Sequence, residues 1–154
     1  MVHALDEIRR TLKPNGVLID IRPVEENWPV EVNASTGYQV AGRLTDVPIA
    51  LADDQAAFHA MREVESKGWF FKEKEGEFSY FYYWDTPSEM KDFMDEEWEG
   101  FEKLDESVFS AVKSAWTMAN ADARVRVRVK MLITKWISGK INNIAEEDEN
   151  KNPA

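Results

Sequence analysis

The run from Ala4 to Pro23 constrains this chain more than any other, because it encodes a helix, a break and a strand in immediate succession. Val2, Leu5, Ile8 and Leu12 recur at helical spacing, with Asp6, Glu7, Arg9, Arg10 and Lys13 on the opposite side. The basic residues sit towards the C-terminal end, where the helix dipole favours them. Pro14 and Asn15-Gly16 then stop the helix. Val17 to Ile21 is a short, mostly apolar run, which predicts a central strand covered on both faces.

Beyond this run, Pro23, Pro29, Asn33, Gly37, Gly42 and Pro48 punctuate short strand pieces at Val30–Val32 and Tyr38–Ala41, with a hairpin through Ser35-Thr36-Gly37. Residues 49–67 read as a helix with Phe58, Met61 and Val64 on one face, Asp53-Asp54 as its cap and Gly68 as its stop. Trp69–Phe71 and the aromatic run Glu77–Trp84 read as two strands flanking a charged turn, Lys72 to Gly76. Thr86-Pro87-Ser88-Glu89 has the form of a capping box with Pro at the first helical position. A helix bearing Met90, Phe93, Met94, Trp98 and Phe101 follows, and another runs from about Asp105 to Asn120. Arg124 to Ile137 begins in strict alternation, a strand signature. The fold class is therefore α+β: a mostly antiparallel sheet of about four or five strands packed with three or four helices, one domain over residues 1–137 and a flexible acidic tail over 138–154.

The junction Leu12-Lys13-Pro14-Asn15-Gly16 and the strand after it resemble the late helix and fifth strand of class I S-adenosylmethionine-dependent methyltransferases, where Leu-Lys-Pro-Gly-Gly is familiar. The resemblance is sharpest over residues 4–23. It implies a partial α/β methyltransferase-like fold whose seventh strand inserts antiparallel beside the fifth, with Tyr80–Trp84 and Val125–Ile137 as the candidate sixth and seventh. Two helices over residues 87–119 then stand as an insertion of the kind that shapes the acceptor pocket in relatives. The family's cofactor half precedes this junction, so the chain reads as the second half of such a domain. The family's glycine-rich turn has no counterpart: seven glycines are present and none is paired as Gly-x-Gly after a strand. Close backbone approach to the cofactor needs such a turn. The expectation is a methyltransferase-related half-domain, not catalytic alone, that engages S-adenosylmethionine only when a partner completes it.

Composition narrows the alternatives. With 44% apolar residues and six tryptophans, a core is assured, whereas the absence of cysteine excludes disulfides and thiolate metal sites and fits a cytoplasmic protein. No stretch approaches the ~20 apolar residues of a membrane span. A net charge of −10 disfavours nucleic acid, and the Arg124/Arg126/Arg128/Lys130 row is expected to be neutralised by the acidic helix over 89–106. His3 and His59 are the only histidines, so no catalytic triad and no metal site is read from spacing.

Asp20 and Arg22 fall at the carboxyl end of the strand, where open α/β sheets place ligands, and are candidate acceptor-binding residues. Trp28, Arg43 and Asp46 lie in the loop-rich segment and are candidates for the same pocket. Tyr80, Tyr82 and Trp84 are candidates for an aromatic platform, although such a run more often belongs to the core. Two functions remain open. One is the half-domain, paired through the 17–22 strand edge with a cofactor-binding chain or a second copy as a homodimer. The other is a small α+β ligand-binding or protein-interaction module with an aromatic-lined pocket.

Overall fold

The structure, a computed structural model, describes residues 1–139. Helix α1 spans Val2–Thr11, as the apolar spacing requires, and its only buried side chain is Leu5. Asn15 takes the left-handed conformation (φ 60°), and the Gly16 amide donates to the Lys13 carbonyl, which closes the turn into β1 (Val17–Pro23). Strands β2 (Pro29–Ala34) and β3 (Gly37–Arg43) form the expected hairpin. A two-residue strand β4 (Thr45–Asp46) leads into α2 (Pro48–Ser66), which Gly68 ends at φ 68°. Then come β5 (Phe70–Trp84), α3 (Pro87–Phe93), a π-helical turn at Met94–Trp98, β6 (Glu102–Lys103), α4 (Glu106–Met118) and β7 (Arg124–Ser138). Five strands make one antiparallel sheet, and β4 pairs with β6 in a small second one, giving the α+β class.

Strand β7 organises the sheet. Along one edge it pairs with the whole of β5; along the other it pairs first with β2 and then with β1. Its two halves bury opposite faces. Val125, Val127 and Val129 point into a cluster with Val30, Val32, Met90, Met94, Phe109 and Val112, under α3 and α4. From Leu132 the parity changes, and Trp136 instead joins Leu5, Ala60, Met61, Val64 and Phe70 under α1 and α2. Two opposed quadrants are left without a helix among the described residues.

One open quadrant is apolar. Val17, Ile19 and Ile21 of β1 share a face with Ile133, Phe71 and Phe78, and all are at least a third exposed. The expectation that Val17–Ile21 is covered on both faces is therefore corrected: only Leu18 and the even-numbered positions meet helices. The other open quadrant carries the basic row. Glu31, fully buried on β2, accepts from Arg126 Nε at 2.6 Å and Arg128 Nε at 2.9 Å, and the Arg126 guanidinium lies over the rings of Phe81 and Tyr38. Arg124 pairs with Asp85, and Lys130 with Glu26 and Glu77. Neutralisation thus comes from the neighbouring strands and loops and not from the acidic helix, which packs over the odd-numbered, valine-bearing face.

Four further expectations change. The segments 69–71 and 77–84 are one strand, because β7 offers a continuous template and a bulge between Lys72 and Lys74 absorbs the irregular step. Asp53 and Asp54 do not cap α2; the helix already starts at Pro48, a favoured first position, and places them inside it. The capping box at Thr86 is half reciprocal: Thr86 Oγ1 accepts from the Glu89 amide at 3.2 Å, but the Glu89 carboxylate accepts from the Asp85 amide. The tail expected over 138–154 starts too early, since Ser138 belongs to β7, and its residues 140–154 lie outside the described residues.

Two substitutions test this packing. Glu31→Ala leaves two guanidinium groups facing one another without their shared acceptor, and the expected loss is about 1.5–3 kcal/mol in urea unfolding. At Gly42 a Cβ would sit 2.7 Å from Val108 Cγ1, so Gly42→Ala is expected to cost about 1–3 kcal/mol. The double variant Gly42→Ala/Val108→Ala should lose less than the sum of its parts.

Candidate functional site

The carboxyl end of β1 gathers the chemistry-bearing side chains. Here α3 and the π-helical turn stop covering the odd face of the sheet, and a cavity of about 400 Å³ opens between Trp28, Tyr80, Tyr82, Trp98, Phe101, Val129 and Met131, with Pro23 and Glu25 at its wall. The π turn places Trp98: its ring meets Tyr82 edge-on at 4.9 Å and Trp28 at 5.8 Å. Such turns widen the helix by one residue per hydrogen bond and are frequent at functional sites. Trp28 is held by its indole N–H, which donates to the Val24 carbonyl at 2.8 Å. The aromatic strand is therefore only partly core: Tyr82 and Trp84 are half-buried and Tyr80 is half-exposed.

Beside this cavity, Glu25, Asp46 and Glu102 converge, with carboxylate oxygens all within 4.8 Å of one another. The β4–β6 ladder sets Asp46 directly opposite Glu102. Asp46 is fixed by a mutual clasp with Asn27, whose amide donates to Asp46 Oδ1 at 2.8 Å while the Asp46 amide donates to Asn27 Oδ1. Glu102 is buried, and among the described residues no amide, hydroxyl or cationic group donates to either of its oxygens. The Glu25 carboxyl lies beside it, and two carboxyl groups this close favour a proton on one of them. Burial, reinforced by Glu25 and then Asp46, pushes Glu102 up to about 9. Burial also raises Glu25 and Asp54 above the usual carboxylate range.

A second, larger cavity of about 540 Å³ lies around the free edge of β1, between α1 and α2. Asp20 and Arg22 face into it, paired with one another at 3.7 Å, and the Arg22 guanidinium stacks on Phe58 at 4.2 Å. The candidate residues thus separate. Trp28 and Tyr82 line the aromatic cavity; Asp20 and Arg22 lie on the opposite face of β1. Trp84 packs behind the cavity against Phe93 and Trp98. Arg43 is exposed and donates to the Asn27 carbonyl, which steadies the loop outside both cavities. Sequence reasoning missed Glu25 and Glu102 as partners of Asp46. The three stand at positions 25, 46 and 102 with no repeating spacing, and only the capping and strand signals around them were readable.

The positive-φ glycines, Gly37 and Gly68, stand in a hairpin and between α2 and β5, so neither opens a strand-to-helix turn of the kind the resemblance gives its cofactor. Compared with family models, with curated proteins and with solved structures, the chain matches none.

The raised Glu102 has a direct thermodynamic consequence. Unfolded, it titrates near 4.5; folded, near 9. Between those values the folded state binds the extra proton, so this contribution to stability is full at acid pH and is lost as pH rises through the window. In the presence of chelator, the urea midpoint should fall from pH 5 to pH 9, and Glu102→Gln should flatten that slope and raise the midpoint at pH 8.

Proposed function

We propose that this chain is the C-terminal half of a class I S-adenosylmethionine-dependent methyltransferase-like domain, that it supplies the acceptor side of the site, and that a cofactor-binding half completes it across the β1 edge. The observation that carries this reading is the arrangement β1–β7–β5. Strand β7 runs antiparallel beside β1, as the resemblance requires of its seventh and fifth strands, and β5 flanks β7 on the far side. The outer edge of β1 pairs with no described strand, and Val17, Ile19 and Ile21 beside it are 46%, 49% and 54% exposed. An apolar strand with an unpaired edge is a template for another strand. Trp98 of the π-helical turn and Phe101, from the segment the resemblance reads as an insertion, wall the aromatic cavity at the carboxyl end of β1, which is where the acceptor of such a domain would lie. No residue of the chain is assigned a catalytic role, and the chain by itself is inactive in this reading.

A second reading is favoured by the cavity alone. About 400 Å³ lined by Trp28, Tyr80, Tyr82, Trp98 and Phe101 is the size and character of a small-molecule site, which suits a self-contained ligand-binding module.

Isothermal titration separates the two. The half-domain reading expects no micromolar S-adenosylmethionine binding to the chain alone; micromolar binding overturns its inactivity alone. Light scattering should show association through the free edge, reversed by Ile19→Lys, whereas a monodisperse wild-type monomer counts against edge pairing. Quenching of tryptophan emission by a small aromatic ligand, lost in Trp98→Ala without any association of the chain, would favour the second reading.

A further inference from the structure

We infer that Glu25, Asp46 and Glu102 form a binding site for a hard divalent cation of calcium size, at the rim of the aromatic cavity. Three observations, none of which depends on the methyltransferase reading, converge on it. The first is geometric. Oxygens within 4.8 Å of one another fit around a single ion at metal–oxygen distances of about 2.3–2.6 Å, since two ligands on opposite sides of such an ion stand about 4.6–5.2 Å apart. All three donors are carboxylates, the ligand class that calcium and manganese prefer.

The second is the state of Glu102. Its side chain is 4% exposed, and both carboxylate oxygens, together with Glu25 Oε2, receive no hydrogen bond from any amide, hydroxyl or cationic group among the described residues. Buried polar atoms left this way are uncommon, and a bound ion is one of the partners that satisfies them. The third is the contrast with the rest of the molecule. Glu31, equally buried, is clasped by two arginines. None of the three clustered carboxylates is in an ion pair with a described lysine or arginine, although Lys103 and Arg43 are neighbours in the chain. Lys103 turns away to Asp105, and Arg43 to the Asn27 carbonyl.

The backbone also holds the donors in place. The β4–β6 ladder opposes Asp46 and Glu102, two carboxyl groups that cannot both carry charge comfortably unless a proton or a cation lies with them. The Asn27 clasp occupies Asp46 Oδ1 and leaves Oδ2 for the ion. Glu25 reaches the same point from the loop after β1, and it also forms part of the cavity wall. An ion here would tie the β1 loop to the small sheet and close one side of the aromatic cavity.

Terbium(III), a luminescent stand-in for calcium, tests this on the full chain, because Trp28 and Trp98 line the adjoining cavity and can sensitise its emission. The expected result is saturable tryptophan-sensitised emission that excess calcium displaces, weakened tenfold or more by Glu102→Gln and, independently, by Asp46→Asn. Calcium should also raise the melting temperature of the wild type but not of Glu102→Gln, while Glu73→Gln, remote on β5, should behave as wild type in both assays. Emission that survives in the Glu102→Gln/Asp46→Asn double variant overturns the site, as does the absence of saturable emission below millimolar terbium. Both variants replace a carboxylate by the amide of the same shape, and unchanged far-ultraviolet circular dichroism shows that the loss is not one of folding.

Discussion

Hydrogen bonding along β7 is the constraint on which the rest of the molecule depends. Fifteen residues, Arg124 to Ser138, provide the ladder for β5 on one side and for β2 and β1 on the other. Because side chains alternate between faces, the shift of the buried set from Val129 to Leu132 puts the α3/α4 layer on one face and the α1/α2 layer on the other. Every exposed surface of note follows from that shift. The apolar face of β1 is uncovered because α1 and α2 lie beneath it, and the arginine row is uncovered because α3 and α4 lie above the valines.

Elements with a local cause were legible in the sequence. The spacing of Leu5, Ile8 and Leu12, the Pro14-Asn15-Gly16 break, the Thr86 cap and the alternation after Arg124 each describe forces acting within a few residues, and each marks an element that forms. What was not legible depended on which strand lies beside which. Lys72 to Gly76 look like a turn until β7 is placed beside them, where the charged side chains suit an exposed edge and the backbone pairs. The partners of the arginine row were misassigned for the same reason. A helix rich in acids is conspicuous, but a single Glu31 one strand away in space makes the bonds.

The site divides in the same manner. Trp28 and Tyr82 could be singled out because an aromatic residue carries its own reason to be buried, and both line the cavity. Glu25 and Glu102 had no such signal. A buried carboxyl in a chain with 29 acidic residues is indistinguishable from a solvated one until its neighbours are known. Asp20 and Arg22 were placed correctly at the end of β1, but strand parity turns them away from the aromatic cavity and towards Phe58.

The two hydrophobic clusters share no side chain, although both rest on the same strand. A protein of this size ordinarily has one interior, through which a shift at any point is felt as pressure elsewhere. Here a displacement among Trp28, Met94 and Val129 has no packed route to Leu5, Met61 and Trp136. It passes instead through the twist of β7, through the short β4–β6 ladder at the rim, or through Pro23, Glu25 and Phe101, which line both cavities. Occupancy of the aromatic cavity would therefore reach the α1/α2 layer along the backbone and the shared rim, not through a common interior.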